Sequence, residues 1–245
     1  MIKLLLCVLL IIIAPRVGAA SVFSDNNPDI DKYGFAKSYI TALSYLKNID
    51  DRWTKNSPKK VYASNETAMI NGSIEYLVKD NGDLRITKNY LMKYIPSKNA
   101  LMRKTADTVV VACDKGISLN NQEKKLWEQW LKLKTSGLGT TANERVFVKA
   151  QRNISLERKE IDKTIIEASV LFTKVLRSAA NPDEQGHLLA ITRAQRKKLI
   201  GHLDRFAKTT IDWGLKPGQR PLAASVAVIR EVLEDPVWVA NDARK

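Results

Sequence analysis

Residues 142 to 179 read ANERVFVKAQRNISLERKEIDKTIIEASVLFTKVLRSA. Phe147, Ile154, Ile161, Ala168 and Val175 stand seven residues apart, and Ile165, Phe172 and Ala179 fill the interleaved positions. That spacing puts one apolar seam along an α-helix. At 1.5 Å per residue the helix would be about 57 Å long. Gln151 and Arg158 interrupt the second stripe, so the N-terminal half is expected to be less deeply buried or to face something polar. A seam of this kind serves a coiled-coil dimer or the long central helix of a bundle. The bundle is the expectation.

Working outward, Thr135 to Thr141 is a polar, glycine-containing connector. Before it, Asn120 with Glu123 makes a capping pair for a helix bearing Leu126, Trp127, Trp130, Leu131 and Leu133. A helix from about Lys98 to Lys115 is expected to end at Gly116. A short one carries Tyr90, Leu91, Tyr94 and Ile95 up to Pro96. Asn27-Pro28 opens an earlier helix through Tyr33, Ala36, Ile40, Leu43 and Leu46 to about Trp53. The segment 66–86 is ambiguous. Ile70, Ile74 and Leu77 suit a helix stopped at Asn81-Gly82, while Ile74, Tyr76, Val78, Leu84 and Ile86 alternate around the same dipeptide like a small hairpin over 74–86. Helix is preferred because its neighbours are helical.

After the long helix, Asn181-Pro182 breaks the chain. Thr192 and Gln195 form a capping box for a helix through Leu199, Leu203 and Phe206 to Trp213-Gly214. Pro221 starts a last helix through Leu222, Val226, Ile229 and Leu233, ended by Asp235-Pro236. The fold class expected is all-α, an antiparallel bundle of seven or eight helices. The segments 20–136 and 140–245 are expected to fold together as one domain.

The N-terminus carries a different signal. Lys3, the apolar run Leu4 to Ile13, Pro15 and the small residues Val17-Gly18-Ala19 follow the order of a secretory signal peptide over residues 1–19. Cleavage near Ala19 or Ala20 would deliver the chain to a periplasm or outside the cell. Cys7 would leave with that peptide. Cys113 is then alone, on the stripe of Met102, Ala106 and Val109, and is expected to be a buried, inert thiol.

The formal net charge is +14, and the excess lies beyond Arg85: Ser21 to Arg85 holds nine basic and nine acidic residues. Such an exterior favours anionic partners. In an exported protein these would be anionic lipid, lipopolysaccharide, a cell-wall polymer or an acidic protein; nucleic acid is not expected. The candidate contacts are Arg193, Arg196, Lys197 and Lys198, crowding one helix N-terminus against its dipole. Lys124 and Lys125, with Lys132 and Lys134, form a second group around Trp127 and Trp130. An internal alternative exists for the first group, whose basic start could face the acidic end of the last helix at Glu231, Glu234 and Asp235.

Familiar chemistry is scarce. With only His187 and His202, and Cys113 as the one thiol past the leader, the usual zinc sites cannot be assembled. Glu184 and His187 have the spacing of a di-iron half-site without its second copy. No metal and no cofactor is expected. No nucleophile elbow or phosphate loop is present. Glu157, Glu160, Asp162 and Glu167 sit among Arg158, Lys159 and Lys163 like a solvated face. The sequons at Asn65, Asn71 and Asn153 matter only in a eukaryotic source. The resulting expectation is a non-enzymatic binding or scaffold protein contacting an anionic envelope partner. Its alternatives are a glycan hydrolase using paired carboxylates, and a dimeric sensor built on the long helix.

Overall fold

A computed structural model describes residues 32–55, 57–62, 64–180, 191–211 and 221–235. The leader at 1–19, the Asn27-Pro28 start, the Glu184/His187 pair and the segment after Asp235 lie outside them. Every regular element among the described residues is a helix. They are α1 (Lys32–Lys55), the single turn α2 (Pro58–Val61), α3 (Glu66–Met92), α4 (Ala100–Thr135), α5 (Thr141–Ala180), α6 (Arg193–Ile211) and α7 (Pro221–Leu233). The fold is an all-α bundle, with six helices of 13 residues or more and one short turn among the described residues.

Among the described residues, the difference from seven or eight helices lies in α3 and α4. No hairpin forms at 74–86: α3 continues through Asn71-Gly72 and Asn81-Gly82 and absorbs the separate helix expected around Tyr90. α4 continues through Gly116, where a stop was expected, and Asn120 caps nothing. Asn81, Gly116 and Asn120 spend their special properties across the α3–α4 interface, whereas Gly72 makes room for the Tyr62 ring and Gly82 faces open space. The Nδ2 of Asn120 donates to Oδ1 of Asn81 at 3.0 Å, and the Nδ2 of Asn81 donates to Oδ1 of Asn121 at 2.9 Å. A Cβ on Gly116 would stand 3.1 Å from Cδ1 of Leu84, so its bare backbone lets α3 approach closely. Tertiary packing thus overrides local propensity. The true caps are Asn65, accepting from the amide of Ala68, and Asn99, accepting from those of Leu101 and Met102.

Cross-helix pairs fix an up-down-up-down order. α1 runs against α3, with Ala42 accepting from Thr87 Oγ1 at 3.4 Å and Trp53 edge-on to Tyr76. α3 runs against α4, tied by Lys88–Asp114 and by Lys134–Glu66. α4 runs against α5, where Trp130 stacks on Phe147 and Arg158 meets Glu123. α5 returns to α1: Tyr39 stacks on Phe172 at 4.1 Å and its hydroxyl shares a hydrogen bond with Ser169 at 2.9 Å. The four long helices therefore close a ring, with Phe35, Tyr39, Tyr94 and Phe172 packed together at one end. Each such buried aromatic contributes about 1.5–3 kcal/mol through lost apolar exposure.

α6 and α7 close on the same core, which includes Leu199, Leu203, Leu222, Ile229 and Leu233. The expected capping box holds: Thr192 N–H donates to Gln195 Oε1 at 2.8 Å and Gln195 N–H to Thr192 Oγ1 at 3.2 Å. α7 begins at Pro221, as its missing N–H favours. The seam of α5 is spent within the chain, since Phe147, Ile154, Ile165, Ala168, Phe172, Val175 and Ala179 are all buried.

Candidate functional site

α1 and α5 are pinned where Tyr39 meets Phe172 and where Lys32 Nζ donates to the Ser178 carbonyl at 3.0 Å. Further along they part around a cavity of about 390 Å³. α1 lines it with Leu46, Ile49, Asp50 and Trp53, and α5 with Arg158, Ile161, Asp162 and Ile165. α4 contributes Ala112, Cys113, Gly116, Asn120 and Glu123, while Leu84 and Leu222 complete it from α3 and α7. The size and the mainly aliphatic wall suit a small organic molecule.

The helices supply these groups in register. Arg158 donates from Nη2 to Glu123 Oε2 at 2.5 Å. One turn further along both helices, in the same direction, come Asp162 on α5 and Asn120 on α4, followed by Ile165 and Gly116. Trp53 is held as a wall. Its Nε1 donates to Asp80 Oδ2 at 2.5 Å, and Arg52 Nε donates to Asp80 Oδ1 at 2.7 Å. Arg52 also bridges to Asp83. Asp80 is fully buried; burial pushes its carboxyl upward, and the donors from Trp53 and Arg52 draw it back.

Two acceptors in the cavity lack donors. Asn120 is 1% exposed, its amide nitrogen is engaged by Asn81, and its Oδ1 has no hydrogen-bond partner. The half-buried carboxylate of Asp162 makes no hydrogen bond or ion pair with any described residue. Burial pushes its pKa up to about 6; the charge of Arg158 opposes that rise and the charge of Asp50 adds to it. Cys113 is buried, as expected, and burial pushes its thiol up to about 12, which leaves it unreactive at neutral pH.

The residues singled out from sequence are distributed elsewhere. Arg196 is buried, and its Nη1 donates to the Leu233 carbonyl at 2.8 Å, so it closes the C-terminus of α7. Arg193, Lys197 and Lys198 remain exposed on α6. Lys124 pairs with Glu128 one turn along, and Lys125 is exposed. Trp127 and Trp130 both pack on Phe147 of α5, with ring centroids at 4.8 and 5.0 Å. Glu157, Glu160 and Glu167 are exposed. His202 lies on α6, its pKa lowered by burial and by the charges of Arg205 and Lys37.

Among the described residues no three His, Cys, Asp or Glu side chains gather as a metal site, and no helix is long and apolar enough to cross a membrane. The chain shows no significant match to a protein-family model, a curated protein or a solved structure.

The cavity residues carried a signal that periodicity alone obscures. Asp50 belongs to the stripe of Leu46, Ile49 and Trp53, and Asp162 follows Ile161 within the stripe leading to Ile165. A charge set inside an apolar stripe marks a polar interior feature.

Proposed function

We propose that this is an exported, non-enzymatic binding protein that holds a small, mainly apolar molecule inside its helical bundle. The cavity between α1, α4 and α5 carries this reading: its wall is aliphatic apart from Trp53 and a few polar side chains. The basic exterior fits delivery or capture at an anionic envelope surface. Arg145, Lys149, Arg152, Lys159 and Lys163 share one exposed face of α5, and Lys197 and Lys198 are exposed on α6.

Fluorescence titration of the full-length chain with the neutral probe 1-aminoanthracene tests the cavity. Saturable binding with one site is expected, weakened about tenfold or more in Ile161→Trp, whose indole would occupy the space. Equal binding by both chains would contradict the reading. For the exterior, co-sedimentation with anionic but not neutral vesicles is expected, lost as salt rises.

A glycan hydrolase is the second reading, favoured by one observation. Asp162, raised to about 6, and Asp50 share the cavity, and a carboxyl in that range suits a general acid. Release of reducing sugar from cell-wall glycan, abolished in both Asp162→Asn and Asp50→Asn, would establish it. The aliphatic wall favours binding over hydrolysis.

A further inference from the structure

We infer that the ligand carries an amine head, held as an ammonium by Asp162 and the orphan amide oxygen of Asn120. This rests on the ligand-binding reading and goes beyond it by naming the head group. Among its described lining residues the cavity is short of donors rather than acceptors. Arg158, the one cation among them, is engaged by Glu123 at 2.5 Å. Asn120 has spent its amide nitrogen on Asn81, and its buried Oδ1 has no partner. Asp162 has no hydrogen-bonding or ionic partner among the described residues. Among the described lining residues, Asp162, Asp50 and Glu123 set three carboxylates against the one guanidinium of Arg158, inside a chain whose formal net charge is +14.

A neutral hydroxyl would satisfy one of the two acceptors. An ammonium supplies three donors and a positive charge, and so answers both acceptors and the local negative excess. An anionic head would meet Asp50 and Asp162, and Arg158, the cation among the described lining residues, is already engaged by Glu123, which favours a cationic head over fatty acids and phosphate esters. The aliphatic wall formed by Leu46, Ile49, Ile161 and Ile165 takes the body of the molecule. The ligand is thus an amphiphilic primary or secondary amine.

Calorimetric titration of the full-length chain at pH 8 with 4-phenylbutylamine and the matched neutral 4-phenylbutan-1-ol separates the two layers of the argument. The amine is expected to bind about tenfold or more tightly than the alcohol, the margin of one charge-assisted hydrogen bond. Asp162→Asn should remove most of that margin, bringing the amine and the alcohol to similar affinities. The amine's advantage should also shrink as pH falls through about 6, where Asp162 takes up a proton among its charged neighbours Asp50 of α1, Glu123 of α4 and Arg158 of α5. Equal affinities for amine and alcohol, or an amine advantage untouched by both Asp162→Asn and acid, would overturn the amine head and leave the cavity reading standing. Binding of neither compound would overturn both.

Discussion

Arg158 on α5 donates to the carboxylate of Glu123 on α4 at 2.5 Å, and that pairing decides the electrostatics of the bundle interior. It uses up the cation that would otherwise neutralise Asp162, one turn away on the same helix face. It also fixes the α4–α5 register that sets Asn120 beside the same cavity.

Arg158→Met should therefore be costly. It leaves Glu123 partly buried beside Asp162 and Asp50 without its partner. A loss of about 1–3 kcal/mol is expected at pH 7. Urea denaturation at pH 7 and pH 5 checks this, and the deficit should narrow at the lower pH as Asp162 takes up a proton.

Asp162→Asn should do the opposite. The folded-state pKa of about 6 stands above the ordinary value of 3.8, so the folded protein holds this proton more tightly than the unfolded chain. The stability linked to protonation is present below pH 4 and lost as pH rises through 6. A permanently neutral Asn keeps it, giving a gain of about 1–2 kcal/mol at pH 7.5 after allowance for partial solvent screening. Wild type and variant should converge at pH 4 in thermal melts.

Gly82→Ala separates a continuous α3 from a hairpin. Gly82 lies within the helix, and the place an alanine methyl would take has nothing within 4 Å, so alanine should raise stability by about 0.5–1 kcal/mol. In an Asn-Gly hairpin turn the same change would destabilise, because alanine resists positive φ. Equilibrium denaturation gives the sign.

Arg196→Met should cost about 1–3 kcal/mol by removing the buried donor on the Leu233 carbonyl and loosening α7 from α6. Lys197→Glu and Lys198→Glu, on the exposed face, should stay within about 0.5 kcal/mol of wild type. A similar loss from all three would mean that the cluster acts as one surface unit.

Phe147→Ala removes the ring shared by Trp127 and Trp130, at a cost of about 3 kcal/mol. Tryptophan emission should shift to the red as those indoles gain water. Adding anionic vesicles to the wild-type chain should leave the emission of this pair unchanged, since both rings pack within the protein.

Periodic stretches were legible because their information is local. The seam from Phe147 to Ala179 became α5, Thr192 and Gln195 capped α6, and Pro221 opened α7. Gly82, Gly116 and Asn120 misled for the opposite reason. Gly116 and Asn120 are local boundary signals whose use is decided across an interface, by Leu84 meeting Gly116 and by Asn81 bonding Asn120 and Asn121, while Gly82 is carried within α3 with open space around it. The cavity was hidden likewise. Asp162 has lysines beside it in sequence, and its burial against α1 and α4 exists only once the helices pack. Gln151 and Arg158 pointed to a polar feature by interrupting an apolar stripe, as did Asp50 within the stripe of Leu46, Ile49 and Trp53.

Methyl NMR of the full-length chain, titrated with 4-phenylbutylamine, tests the central claim most directly. Expected are saturable shifts at Leu46, Ile49, Leu84, Ile161, Ile165 and Leu222, which line the cavity, with Ile70 and Leu133 of the Trp130 cluster unmoved. Shifts confined to Val146, Val148 and Leu156 on the outer face of α5, or no shifts at any concentration, would contradict a ligand site within the bundle.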